Sequence, residues 1–193
     1  PGGGLAPGDV RTRGGTLSVA SGLTLARGST RGCYLGQTNV SGGACNALVA
    51  VGGNLTLGGT LNITPNPAGP SVNNGKLDAG LYRLYTYGGT LSGASSQIMA
   101  ATSVAANGNV SLQTSIAHQV NIVVSYGNLA FWDGGNTTNH GNATVDGGSG
   151  IWAAQSTGDN SNWTDQPGAS NGAWVNDQFV VYAGNVGPVS VQA

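Results

Sequence analysis

Apolar and polar residues alternate along this chain in short bursts, each closed by Gly or Asn. The clearest are GGTLSVASGLTL (14–25), GGNLTLGGTLNIT (52–64), GLYRLYTYGGTLSG (80–93) and QVNIVVSYGNLAF (119–131). In the second burst Leu55, Leu57, Leu61 and Ile63 alternate with small or polar residues on either side of Gly58-Gly59. A period of two sends successive side chains to opposite faces, so these segments predict strands with one buried face. No window of a dozen residues carries a convincing helical period, and the Gly/Asn/Ser/Thr stretches between bursts predict turns.

Composition narrows the architecture. Charged residues are 7% of the 193, against about 25% in an average soluble domain. With one Lys, five Arg, seven Asp and no Glu, good helix formers are scarce, while Gly alone supplies 35 residues. A hydrophobic fraction of 39% and a net charge of −1 separate the chain from a disordered one. Many short strands can build a sandwich, a barrel or a solenoid. Three features favour a β-solenoid: charge is nearly absent, Gly-Gly corners recur before Thr-Leu (Gly14 and Gly88), and Asn and Thr are plentiful. A coil of around 20 residues would give roughly eight or nine coils. At about 4.8 Å per coil the rod would be about 40 Å long.

The four tryptophans lie in the last third. Trp152, Trp163 and Trp174 are spaced by 11, and Trp132 precedes Trp152 by 20. On a solenoid, the 20- and 22-residue steps would stack Trp132, Trp152 and Trp174 as a structural aromatic ladder, with Trp163 half a coil away. A buried Trp removes on the order of 200 Å² from water, so such a ladder would strengthen the local core. The competing reading is an exposed aromatic platform for a ligand.

Cys33 and Cys45, with eleven residues between them, invite a redox pair, half a metal site or a disulfide. There is no CxxC, and His118 and His140 are distant in sequence, so a disulfide closing a Gly-rich loop is expected. Such a bridge suits an oxidising, extracytoplasmic setting.

Other chemistry is sparse. Arg11, Arg13, Arg27, Arg31, Lys76 and Arg83 form no dense patch, which argues against a nucleic-acid partner. Asp9, Asp78, Asp133, Asp146, Asp159, Asp165 and Asp177 are dispersed in turn-like dipeptides, unlike the paired carboxylates of glycan-cleaving enzymes. His118 and His140 read as turn or loop residues. GGNLTLGG lacks the Lys of a phosphate-binding loop, and neither a catalytic residue nor a cofactor or metal is expected. Apolar runs such as 121–124 are too short for a membrane helix. The opening PGGG, without Met or a signal peptide, reads as a segment of something longer.

The pattern FWDGG (131–135), GSGIW (148–152), Asn162-Trp163, Ala173-Trp174, FVVYAG and VGPVSV resembles the passenger-associated transport repeat of Gram-negative autotransporters (type V secretion). The stretch from GGNLTLGGTLNI to GLYRLYTYGGTLSG resembles the β-helical passenger segment found beside such repeats. The Asn-rich stretch 136–143 departs from that form. The resemblance implies a right-handed parallel β-helix, exported through an outer-membrane β-barrel that lies C-terminal to this stretch. It implies a surface-exposed or secreted adhesin or stalk that contacts host cells or extracellular matrix, without enzymatic activity. N-terminal coils with the cysteine loop would occupy 1–51, the passenger segment 52–130 and the repeat 131–193. Loops 31–44, 64–76 and 136–149 would project as contact sites. The alternatives are a secreted β-helical enzyme acting on a glycan and a carbohydrate-binding β-sandwich.

Overall fold

The structure is a computed structural model that describes residues 3–8, 14–93, 98–99, 104, 109–125, 127–153, 161–175 and 178–192. Among these the regular structure is strand, apart from one 3-10 turn at Thr137–Asn139, so the all-β class stands. Among the described residues no helix is long and apolar enough to cross a membrane. The chain divides into two compact units, residues 1–112 with 118–125 and residues 113–117 with 126–193.

In unit 1 the chain makes repeated passes through three sheets. After β1 (Gly4–Leu5), one pass supplies β2 (Gly15–Val19), β3 (Leu23–Thr24) and β4 (Thr30–Leu35). The next supplies β5 (Ala47–Val51), β6 (Leu55–Leu57) and β7 (Thr60–Pro65). A two-stranded hairpin, β8 (Val72–Asn73) and β9 (Lys76–Leu77), precedes β10 (Gly80–Tyr87), β11 (Leu91–Gly93) and β12 (Ile98–Met99). Corresponding strands of successive passes pair in parallel, β2-β5-β10, β3-β6-β11 and β1-β4-β7-β12. The first of these sheets is extended by β14 (Gln119–Ser125), antiparallel to β10, and by β13 (Asn109–Gln113).

The register corrects the expected coil. Gly15 pairs with Ala47, 32 positions on, and Thr30 with Thr60, 30 on. Val49 pairs with Tyr85, 36 on, and Leu61 with Ile98, 37 on. A pass thus takes well over 20 residues, and eight or nine coils do not fit the chain. The difference lies in segments 36–46 and 66–79, which fold into turns and a hairpin between strands.

Alternation works as the sequence implies. Leu35, Val49, Leu55, Ile63, Leu77, Leu84, Val120 and Ile122 are buried in one aliphatic core, each fully buried side chain stabilising by about 1.5–3 kcal/mol. The Gly-Gly corners stack. Gly52 N–H donates to Val19 O at 2.8 Å and Gly88 N–H to Val51 O at 2.9 Å. A Cβ on Gly88 would lie 2.5 Å from Gly52 O, so only glycine lets these backbones meet.

Unit 2 is built differently. Its strands are β15 (Leu129–Trp132), β16 (Gly150–Ala153), β17 (Trp163–Thr164), β18 (Asn171–Gly172), β19 (Phe179–Tyr182) and β20 (Val189–Gln192). One sheet has the order β18-β17-β15-β19, with β17 antiparallel to both neighbours and β19 parallel to β15. A second pairs β16 and β20 in parallel.

Candidate functional site

The tryptophans meet in unit 2. Trp132 and Trp163 are directly opposed in the β15–β17 pair, their rings 5.2 Å apart and edge-to-face. Trp163 also lies 5.5 Å from Trp152 and 5.1 Å from Trp174, while Trp152 and Trp174 are 5.2 Å apart. Trp163, placed by the 11-residue spacing on another side, therefore stands at the centre of the cluster. Antiparallel pairing of β17 with β15 overrides the coil arithmetic. Trp132 and Trp163 are buried, with Trp152 and Trp174 partly buried against them. This geometry presents no row of open rings for a ligand. Gly150 makes room for the edge of the Trp132 ring, which a Cβ would approach to 2.7 Å, and Trp132 Nε1 donates to Gly148 O at 2.8 Å.

The expected disulfide is absent: Cys33 and Cys45 are both free thiols. Cys33 is turned into the core by the alternation of β4, whereas Cys45 lies half-buried with its Sγ 3.9 Å from Ala68 O. The Gly-rich loop is instead closed by Asn46, which is wholly buried. Its Oδ1 accepts from the Gly36 and Gln37 N–H groups at 2.9 and 3.0 Å, and its Nδ2 donates to Gln37 O and Val40 O, both at 2.8 Å. One amide satisfies four backbone groups.

Loop 31–44 was expected to project, but its first five residues are strand and Arg31 is only 1% exposed. The guanidinium reaches across successive passes, Nη2 donating to Ala47 O and Leu84 O at 3.1 Å each. Its carbon lies 4.2 Å from the Tyr85 ring centroid, a cation–π arrangement in the core. Nε and Nη1 have no hydrogen-bond partner, and neither does the Tyr85 hydroxyl. Burial pushes the Tyr85 hydroxyl up to about 12, with the Arg31 charge pulling the other way. Burial likewise raises the Cys33 thiol against the opposing pull of Arg31.

The described carboxylates are occupied by turns. Asp133 is buried, accepting from Asp146 N–H at 2.7 Å and from Asn171 Nδ2 at 2.8 Å. Asp165 accepts from the N–H groups of Ala169 and Ser170, and Asp78 and Asp146 from Asn73 and Asn142. Asp9, Asp159 and Asp177 lie outside the described residues. No group of three or more His, Cys or Asp side chains that could hold a metal occurs among the described residues. His140 is bonded to Gly134 O at 3.1 Å, which leaves Nδ1 facing Ser161 Oγ at 3.4 Å, a loose contact.

One further surface feature was not singled out by the sequence. A groove of about 630 Å³ runs over the outer face of the β2-β5-β10-β14 sheet. Its floor is a register row, Ser18, Ala50, Thr86 and Gln119, one residue from each strand. At one side stands Arg83. Strict alternation in GLYRLYTY would put Arg83 on the same face as Tyr85 and Tyr87, which are buried. A bulge between Arg83 and Tyr85 breaks that alternation. Leu84 and Tyr85 both face the core, and Arg83 shares the outer face with Thr86. Arg83 Nη2 donates to Gln119 Oε1 at 2.6 Å. Exposed His118 adopts a left-handed backbone (φ 61°) and rests its ring 5.5 Å from Tyr87, with Nδ1 3.0 Å from Tyr87 O.

Comparison with known proteins supplies the context. No family model matches the chain, and no solved structure matches it. The sequence is 38% identical, over an alignment of 215 positions covering 99% of this chain, to the adhesin BmaC autotransporter of Brucella suis biovar 1 (strain 1330). The chain spans 6% of that protein's length. With that likeness running from end to end, the chain is an autotransporter passenger-type region.

Proposed function

We propose that this segment is part of a surface-exposed adhesin passenger, a rigid β-helical rod that presents contact surfaces to host cells or extracellular matrix. The likeness to a Brucella adhesin along nearly the whole chain carries this reading. The parallel sheets of unit 1, entered once per pass, support a solenoid. Parallel crossovers are right-handed in about 98% of cases, which favours the right-handed form. Stacked passes leave corners and turns outside the core, where a scaffold's recognition residues belong. The polypeptide would reach the cell surface through an outer-membrane β-barrel of its own and remain anchored there or be released. Its work would be mechanical and presentational, with no catalysis.

The purified chain, immobilised on beads, should bind cultured host cells or matrix proteins saturably, whereas beads carrying an unrelated β-rich protein should not. Indistinguishable retention of the two bead types would remove the adhesive role and leave that of a stalk.

A further inference from the structure

We infer that the groove over β2, β5, β10 and β14 is a binding site for an acidic oligosaccharide bearing a carboxylate on about every second sugar. The inference rests on the adhesin reading and gives it a ligand class. Twelve residues line the groove, and none is acidic: its charged or chargeable groups are Arg83 and His118. Arg83 is held by a neutral partner, the Gln119 amide, and its Nε has no hydrogen-bond partner. Burial without a counter-ion weakens its hold on the proton, which an incoming anion would reverse. The groove therefore has a fixed, half-buried cation and no internal anion.

The floor selects the shape of the ligand. Ala20, Ala50, Gly52 and Gly88 place only small side chains or none along it. Ser18 and Thr86 are two strands apart in the same row, so their hydroxyls recur at about 9–10 Å, close to the length of a disaccharide. Hydroxyls and an amide that both donate and accept suit sugar hydroxyls, which do the same. One arginine suits a sparsely charged glycan, whereas a phosphate or densely sulfated polymer calls for a concentrated basic face. His118 Nδ1 is engaged by the Tyr87 carbonyl, which makes it the protonated nitrogen and leaves Nε2 for a ligand. A volume of about 630 Å³ lies within the usual range for small-molecule sites.

Calorimetric titration of the full chain with a hyaluronan hexasaccharide tests this, with maltohexaose as neutral control and a heparin hexasaccharide as the dense-charge arm. Binding of the hyaluronan oligosaccharide, none of the neutral one, and a loss of about tenfold or more in Arg83→Gln are expected, the share of one charge-assisted hydrogen bond. Ala50→Phe, which fills the floor from the solvent side while keeping the charge, should also abolish binding. It serves as the second variant should Arg83→Gln fail to fold, as judged by near-ultraviolet circular dichroism. No binding by the wild type, equal binding of maltohexaose, a preference for heparin, or unchanged affinity in a folded Ala50→Phe variant would each overturn the proposal. Host-cell binding separates the two readings. Cells retained equally by wild type and a folded Arg83→Gln remove the groove and keep the adhesin. Oligosaccharide bound without any cell binding removes the adhesin and keeps the groove.

Discussion

The two units reach stability by different routes from the same Gly- and Asn-rich composition. Unit 1 has strands of up to eight residues that repeat in register, and its core is a set of aliphatic rows threaded by one buried cation. Unit 2 has strands of two to four residues, and its core is a group of rings centred on Trp163. Short strands bring few inward-facing positions, so each must bury more. A Trp buries on the order of 200 Å², and edge-to-face pairs add about 0.5–1.5 kcal/mol beyond area. Where register is long, many modest side chains suffice. Where it is short, a few large ones replace them.

The largest test of that contrast is Trp163→Ala. It removes the ring touching Trp132, Trp152 and Trp174, and should destabilise unit 2 by about 3–5 kcal/mol in urea unfolding followed by tryptophan fluorescence. A Val49→Ala change in unit 1 should cost clearly less, since one aliphatic row shares its load with many. Equal losses would break the comparison.

The next test concerns the cation. Arg31→Ala leaves a void and deprives Ala47 O and Leu84 O of a donor, for an expected loss of about 3 kcal/mol. Arg31→Met keeps much of the volume and removes a desolvated charge that has no carboxylate partner among the described residues. It should stay within about 1 kcal/mol of wild type. If Met costs as much as Ala, the charge itself holds the passes together and the core of unit 1 is not governed by apolar packing.

A smaller effect should appear in alkali. Tyr85 has its hydroxyl raised from 10.0 to about 12. The unfolded chain therefore releases this proton first, and the associated stability is present below pH 10 and lost as pH rises towards 12. The loss should reach about 2–3 kcal/mol across that window, read from urea midpoints. Tyr85→Phe should flatten it while also removing a buried hydroxyl without a partner.

The smallest effect is chemical. Native protein should react with one equivalent of a thiol reagent at Cys45 and with a second, at Cys33, only in denaturant. A protein unreactive in denaturant until reduced would restore the disulfide.

Much of the fold was legible because strand period is local. The bursts at 14–25, 52–64 and 80–93 became β2–β3, β6–β7 and β10–β11, and their Gly-Gly corners became stacked turns. The site was far less legible. Arg83 read as one scattered cation among six, because nothing in GLYRLYTY announces a bulge. Asn46 was hidden by its neighbour Cys45, since a buried amide with four partners looks like any loop Asn until its partners are folded around it. Arg31, in TRGCYL, gave no sign in the sequence that it would lie in the core. It passed as surface because Arg usually is.

The sequence by itself determined the all-β class, the positions of turns and which side chains prefer the interior, all of which depend on neighbours a few residues apart. Tertiary structure alone decided how far the chain travels before a strand meets its counterpart, 26–37 positions in unit 1. It also decided that Trp163 faces Trp132, that the cysteines stay apart, and that Arg83 turns outward. The reason is physical. Periodicity is a property of the backbone at each residue, whereas register is a choice among distant partners, settled by packing and by the backbone groups that each loop must satisfy.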